Sequence, residues 1–167
     1  MSILEGGCLC GAIRFRATGK PTNTMVCHCQ TCRRAAGSPV VAWLTFDRKD
    51  FRITRGKLSE FNSTPPVTRG FCGTCGTPLT FESTRFPDET DVTICSLDDP
   101  EQVPPRDHTR AATKLTWVKL ADVDNANDIP PDGSNSRNDP TALYSADGRF
   151  SSFELPSSSG FLYKWEA

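Results

Sequence analysis

Two short cysteine segments, CLCG at residues 8–11 and CGTCG at residues 72–76, decide the fold. Each is a tight pair of cysteines followed by glycine, in which backbone N–H groups can point at sulfur and glycine supplies the positive φ of the turn. Structural zinc sites use four such ligands on a tetrahedron, with Zn–S distances of about 2.3 Å. One shared zinc ion would tie the N-terminal strand to the middle of the domain. The four predicted ligands are Cys8, Cys10, Cys72 and Cys75.

Disulfides, or unrelated core cysteines, are the alternative for this first group, so the redox compartment matters. Residues 1–7 have neither the basic nor the apolar region of a signal peptide. The longest apolar run, residues 40–46, is too short to span a membrane. We therefore expect a cytoplasmic protein. A reducing compartment favours metal binding over disulfides for the eight cysteines of the chain.

A second cysteine segment, CHCQTCR at residues 27–33, can reach one metal ion from a single loop. A zinc ion with three protein ligands keeps a position for water or substrate, as catalytic zinc sites do. Bound zinc also stabilises a thiolate at neutral pH, so a thiol substrate is a natural fourth ligand. The three predicted ligands of this catalytic zinc are Cys27, Cys29 and Cys32.

Three alternatives remain open for this second segment. His28, His108 or Cys95 can fill the fourth position and close the site. The segment can hold an iron–sulfur cluster, or Cys29 and Cys32 can form a redox pair. Of these residues, Cys95 is expected to be a buried free thiol on a strand. His28 is expected to point away from the metal, where it can support a ligand or act as a general acid or base.

The 167 residues fit one domain with a long tail, and a net charge of -1 argues against a dedicated nucleic-acid or anionic-membrane binder. Short β-branched or aromatic runs bounded by Gly, Pro, Asp or Ser predict a mostly-β domain over residues 1–120. One brief helical turn is expected at Ala35 and Ala36. Residues 121–167, a polar loop followed by aromatics, are expected to pack on the same domain. The predicted strands are residues 12–18, 39–46, 51–54, 58–62, 67–71, 79–82 and 91–96.

Three segments together resemble the glutathione-dependent formaldehyde-activating enzyme family, which also includes centromere protein V. They are residues 6–15, 27–33 and 69–79, and residues 96–108 look similar in part. The resemblance spans about residues 5–120. It implies an Mss4-like β fold with two zinc ions, placed on the two cysteine groups already described. It also implies carbon–sulfur lyase chemistry, in which glutathione, as co-substrate, is joined reversibly to formaldehyde.

Arg33 and Arg34 follow the three-cysteine loop directly, and a guanidinium there can clamp a glutathione carboxylate, with Arg33 the stronger candidate. A solvated or structural arginine is the alternative. Trp43, Phe46 and Trp117 are expected to pack in the core, and one of the first two can line a pocket.

The small-molecule partners implied are a thiol and an aldehyde, with no membrane and no nucleic acid expected. A zinc-stabilised binding module, as centromere protein V and Mss4-like proteins suggest, is the alternative to an enzyme. A zinc enzyme acting on another thiol or another small electrophile is a third possibility. The oligomeric state is not indicated by the sequence.

Overall fold

Short strands dominate the computed structural model, which describes residues 3–120. Its one α-helix among these residues, α1, spans Gln30–Ala36. The mostly-β prediction is confirmed. The strands are β1 Ile3–Gly7, β2 Arg14–Thr18, β3 Asn23–Cys27, β4 Val41–Asp47, β5 Phe51–Arg55, β6 Ser59–Thr64, β7 Val67–Phe71, β8 Pro78–Ser83, β9 Glu89–Thr93 and β10 Asp107–Thr109.

The strands form two sheets. The smaller has the order β1-β2-β5 and the larger the order β10-β3-β4-β9-β8-β7-β6. All neighbours are antiparallel except β10, which runs parallel to β3. A bridge between Gly6 and Leu97 connects the small sheet to the segment that follows β9. The turns between β1 and β2 and between β7 and β8 carry the two halves of the four-cysteine group.

The hydrophobic core lies where one face of each sheet meets the other. Alternate residues of a strand point to opposite faces, so each strand contributes every second side chain. Burying such a side chain fully stabilises the fold by about 1.5–3 kcal/mol. The small sheet contributes Leu4, Phe15 and Ala17, and the large sheet contributes Leu44, Phe46 and Val92.

The opposite face of the large sheet carries a second, smaller cluster around the three-cysteine group. Its buried members are Met25 and Cys27 on β3, Val41 and Trp43 on β4, Cys29 at the N-cap of α1, and Cys32 within α1. Phe81 of β8 packs against this cluster, with its ring centroid 6.1 Å from that of Trp43. The large sheet therefore has one structural face and one face that supports the site.

Three strands were absent from the sequence-based expectation: β1, β3 and β10. The predicted strand over residues 91–96 ends at Thr93, and a 3₁₀ turn follows at Ile94–Ser96. The prediction of a buried Cys95 is wrong, because this turn buries Ile94 and Ser96 and leaves the thiol between them exposed.

Two further expectations concern the chain beyond the sheets. Trp117 does not pack as expected and is 68% exposed. Within residues 3–120, no helix has the length and apolarity needed to cross a lipid bilayer. The expected packing of residues 121–167 on the domain lies outside the described residues and stays a prediction.

Candidate metal centres and the adjoining pocket

The four-cysteine group brings together two turns that are far apart in sequence. The Sγ atoms of Cys8, Cys10, Cys72 and Cys75 all lie within 4.8 Å of one another. Cys8 Sγ is 3.5 Å from Cys10 Sγ, which is 3.8 Å from Cys72 Sγ. Sulfur atoms at the corners of a tetrahedron with Zn–S distances of 2.3 Å are about 3.8 Å apart. The spacing of the donors therefore fits a tetrahedral metal ion.

Hydrogen bonds to sulfur favour a thiolate at two cysteines of this group, Cys8 and Cys75. The backbone N–H of Ile13 donates to Cys8 Sγ at 3.2 Å, as expected for a cysteine turn that cradles a metal. The Thr77 hydroxyl lies 3.2 Å from Cys75 Sγ. Hydrogen bonds from the Thr77 side chain and backbone lower the pKa of Cys75 to about 5. Gly76, with φ of 76°, adopts the left-handed conformation that glycine permits in this turn.

The three-cysteine group is built where β3 runs into α1. Cys27 is the last residue of β3, Cys29 is the N-cap of α1, and Cys32 lies in its first turn. Their Sγ atoms lie within 4.8 Å of one another, and all three residues are buried. A cap residue and the residue three positions later face the same side of a helix, so both thiols point towards Cys27.

Cys29 is the member of this group most disposed to be a thiolate. Its Sγ accepts a hydrogen bond from the backbone N–H of Cys32 at 3.3 Å and lies 3.2 Å from the Thr31 hydroxyl. Hydrogen bonds from the Cys27 and Cys32 thiols, joined by those from Thr31 and the Cys32 backbone, lower the pKa of Cys29 to about 2. The same Cys-x-Thr arrangement therefore supports a thiolate in both groups, at Thr31 and at Thr77.

Within residues 3–120, no fourth donor completes the three-cysteine group. Neither histidine belongs to it, and Cys95 is exposed elsewhere. His28 is fully buried and turned away, as expected, with Nε2 2.6 Å from His108 Nδ1 and the two rings stacked. Burial lowers the pKa of both histidines, so the pair favours the neutral state. The pair packs behind the loop rather than closing the site.

A pocket opens beside the three-cysteine group on the site face of the large sheet. With its open mouth included, its volume is about 380 Å³. The sheet contributes mostly apolar walls, and the residues after β10 close one side. The lining residues are Met25, Cys27, Cys29, Thr31, Cys32, Trp43, Phe81, Arg69, Asp91, Thr109 and Arg110.

Arg69 brings a positive charge to the three-cysteine group. Its Nη2 and Nη1 atoms lie 3.8 and 3.9 Å from Cys32 Sγ. The guanidinium also lies over the Phe81 ring, 5.1 Å from the ring centroid, in a cation–π contact. Arg69 was not predicted as a site residue, because the strand register that brings it to the cysteine group is not visible from the sequence.

Arg33, the predicted glutathione contact, is not among the residues that line this pocket. It lies on α1, next to Cys32, and its Nη1 atom is buried without a hydrogen-bond partner among the described residues. Its role in binding stays a prediction. Trp43, in contrast, both packs in the second cluster and forms a wall of the pocket.

Asp91 is the second charged group on the sheet that sequence analysis missed. It lies on β9 and lines the pocket, and the Thr45 hydroxyl donates to its Oδ1 at 2.6 Å. Burial raises the pKa of Asp91 to about 6, with the hydrogen bond from Thr45 opposing that rise. Asp91 is the first residue of the strand predicted over residues 91–96, and nothing in the sequence shows which face of that strand meets the site.

One family profile covers nearly all of the residues that the structure describes. The profile of the family described as "Glutathione-dependent formaldehyde-activating enzyme" matches residues 3–113. The chain belongs to this family. The matched region contains both cysteine groups and every strand described above.

Two curated relatives and one solved structure resemble this member of the formaldehyde-activating family. A Halomonas elongata protein, provisionally named a glutathione-dependent formaldehyde-activating enzyme, is 30% identical over 127 residues, which is 71% of this chain and 81% of the relative. An uncharacterised lyase of Schizosaccharomyces pombe is 35% identical over 81 residues, 48% of this chain and 58% of that protein. A Rhodobacter sphaeroides protein, known as a crystal structure, superposes with a TM-score of 0.51 at 25% identity, covering 63% of this chain and 99% of its own.

Family membership and the names of the curated relatives support a lyase. The structure adds two cysteine groups that can each hold a metal ion, and a pocket beside the group that offers three ligands rather than four. The cysteine residues predicted for each group are the residues that the fold brings together.

Proposed function

We propose that this family member is a zinc-dependent carbon–sulfur lyase that joins glutathione reversibly to formaldehyde, giving S-(hydroxymethyl)glutathione. The observation that carries the proposal is the three-cysteine group, which among residues 3–120 meets a pocket instead of a fourth protein ligand. Four-ligand zinc sites are structural, whereas three-ligand sites leave a position for chemistry. A cytoplasmic location belongs to the same proposal, because a reducing compartment maintains free thiols.

The two cysteine groups have different roles in this proposal. Cys8, Cys10, Cys72 and Cys75 would hold a structural zinc ion, and Cys27, Cys29 and Cys32 a catalytic one. When bound at the second site, zinc would supply a positive charge that keeps a substrate thiol deprotonated at neutral pH. Sulfur-only donors suit zinc in both places, and the nearby threonine hydroxyls lower the pKa of Cys29 and of Cys75.

The residues around the second site fit a small aldehyde and an anionic thiol. Trp43, Phe81 and Met25 make an apolar chamber that admits a small carbonyl compound and limits water. Arg69 lies at the cysteine group, where its guanidinium can attract the thiolate or a glutathione carboxylate. Arg33, one residue from Cys32 on α1, is the proposed second carboxylate contact, reaching glutathione from outside the residues that line the pocket.

An exchange experiment with matched cysteine variants tests the proposal. The rate at which formaldehyde exchanges with its glutathione adduct is measured by NMR, above the spontaneous rate, for the wild type and for Cys32→Ser and Cys95→Ser. We expect the wild type and Cys95→Ser to accelerate exchange equally, since Cys95 is exposed outside both groups. Cys32→Ser is expected to lose the acceleration while remaining folded, because it removes one of only three ligands.

Two results would contradict the proposal. Equal acceleration by Cys32→Ser and the wild type would show that the three-cysteine group is not the reaction site. A zinc-loaded wild type that does not accelerate exchange above the spontaneous rate would leave the zinc-stabilised binding module as the better function. Acceleration with a different thiol alone would keep the lyase and replace glutathione as its substrate.

A further inference from the structure

Four residues on neighbouring strands form a straight row across the site face of the large sheet. Arg69 of β7 is directly opposite Phe81 of β8, which is opposite Asp91 of β9. Asp91 is in turn opposite Thr45 of β4. Residues that are directly opposite in an antiparallel pair project from the same face, about 4.5–5.5 Å apart at Cβ. The row therefore delivers one acid and one cation to one pocket, separated by an aromatic ring.

Asp91 is held in this row in a way that suits proton transfer. Thr45 donates a hydrogen bond to Oδ1, which fixes the carboxyl group. The side chain keeps part of its surface on the pocket, among Trp43 and Phe81. Burial in these surroundings raises the pKa of Asp91 to about 6, close to the pH at which a proton can be both accepted and returned. Such carboxyl groups in clefts are candidates for acid–base roles.

The proposed reaction needs a group that moves one proton. A thiol must lose its proton before its sulfur lone pair can form a bond to the carbonyl carbon of formaldehyde. As that carbon–sulfur bond forms, the π electron pair of the carbonyl moves to oxygen, which must then be protonated. Nothing is oxidised or reduced, so one carboxyl group can balance both events by accepting the first proton and returning it to the oxygen.

We propose that Asp91 is the proton-transfer group of the three-cysteine site. The inference rests on the proposed lyase function and deepens it. The Asp91 carboxylate takes the proton of the entering thiol and then gives it to the alkoxide oxygen of the adduct, and the same steps in reverse release formaldehyde. Arg69, on the other side of Phe81, is placed to stabilise negative charge at the cysteine end of the pocket.

Charged and titratable groups lie around Asp91 on several of the elements packed against it. Glu89, two residues earlier on β9, raises the pKa of Asp91, and Asp47 is opposite Glu89 on β4. Arg69 and Arg110 line the same pocket from β7 and from the segment after β10, and the cysteine thiols line it from the end of β3 and the start of α1. Because the carboxylate must accept the thiol proton, the catalysed rate should fall as pH drops through about 6. Above that pH the carboxylate form is present.

Three variants test the role of Asp91. Asp91→Asn keeps the shape and the hydrogen bond from Thr45 but cannot carry the proton, and we expect kcat/KM to fall about 100-fold with loss of the acidic limb. Thr45→Val removes the donor that stabilises the carboxylate, so its acidic limb should move to higher pH. Asp88→Asn, at an exposed aspartate between β8 and β9, is the matched control and should match the wild type.

A calorimetric count of protons provides a readout that does not depend on turnover. Glutathione binding is measured in buffers of different ionisation enthalpy. The wild type should keep the thiol proton near pH 7, whereas Asp91→Asn should release about one more proton per glutathione bound. Equal proton release by the two proteins at every pH would overturn the assignment. If the wild type fails to accelerate exchange but the proton difference is found, the lyase reaction is wrong and the proton acceptor stands.

Discussion

At the scale of single residues, Arg69 contacts both a cysteine of the three-cysteine group and an aromatic wall of the pocket. Its Nη2 atom lies 3.8 Å from Cys32 Sγ, and its Cζ atom lies over the Phe81 ring, 5.1 Å from the ring centroid. A charge-assisted hydrogen bond contributes about 1.5–3 kcal/mol where it is shielded from water. Because Arg69 lines the pocket beside the cysteine group, its charge is expected to affect the binding of an anionic thiol more than the stability of the fold.

The prediction for Arg69 concerns glutathione affinity. Arg69→Met keeps an apolar stem on Phe81 and removes the charge, so the KM for glutathione should rise about tenfold, which corresponds to about 1.4 kcal/mol. Arg69→Lys should show a smaller rise, because it keeps the charge without the forked donors. Steady-state kinetics at fixed formaldehyde measure the effect. Arg52→Met, at an exposed arginine on β5, is the control, and an unchanged KM in Arg69→Met would contradict the role.

The buried histidine pair gives a second prediction at this scale. His108→Ala would leave His28 Nε2 buried without its partner, which costs about 1–3 kcal/mol of unfolding free energy. His108→Asn places a polar atom near the position of Nδ1 and should lose less. Urea unfolding of both variants at pH 7.5 compares them with the wild type. Equal stability of His108→Ala and the wild type would show that the pair contributes nothing to the fold.

At the scale of elements, β-branched and aromatic runs between turn residues predicted seven strands of the two sheets. They are β2, β4, β5, β6, β7, β8 and β9. β10 was not predictable, because its three residues, Asp107–Thr109, are extended only through pairing with β3. β3 itself, Asn23–Cys27, merges into the cysteine loop and lacks an alternating pattern. Helix α1 begins at Gln30, earlier than the expected turn at Ala35, because Cys29 serves as its cap.

The contact between β1 and the segment after β9 yields a prediction about element packing. A Cβ atom on Gly6 would lie 2.3 Å from the backbone oxygen of Ser96 and 2.9 Å from Leu97 Cα. Both neighbours are backbone atoms, so Gly6→Ala must push the segment away and should cost about 1–3 kcal/mol of unfolding free energy. Glu5→Ala, at an exposed neighbouring position, removes only a surface ion pair and should cost less than about 1 kcal/mol. Thermal unfolding of both variants measures the difference, and equal costs would argue against close packing at Gly6.

At the scale of the whole molecule, the two cysteine groups differ in what they connect. The four-cysteine group joins the turn after β1 to the turn after β7, whereas the three-cysteine group lies within one stretch of chain. Metal binding to a group that exists only in the folded state contributes directly to folding, by about 10–16 kcal/mol in zinc-finger peptides. The first group should therefore be required for the fold and the second for activity.

The metal prediction follows from this difference. Cys72→Ser should lose cooperative thermal unfolding, because it removes one ligand of a buried junction between distant segments. Cys32→Ser should unfold cooperatively and retain one zinc ion per chain, against two in the wild type. Elemental analysis and circular dichroism of the purified proteins measure both quantities, with Cys95→Ser as the control. Cooperative unfolding of Cys72→Ser with one zinc ion lost would show that the first group is dispensable.

The sequence by itself predicted which cysteines lie together, because tight cysteine pairs are typical of metal ligands, and the fold brings the predicted groups together. It also determined the mostly-β character, through residue types that favour strands. Only the tertiary structure decided that Arg69 and Asp91 share a pocket with the three-cysteine group, and that Thr45 holds the Asp91 carboxyl group. These residues lie on different strands, and they meet because antiparallel register places them in one row across the sheet. The count of three cysteine ligands predicted that this group has an open side. The fold decided that Asp91, Arg69 and the apolar side chains of the pocket face that side.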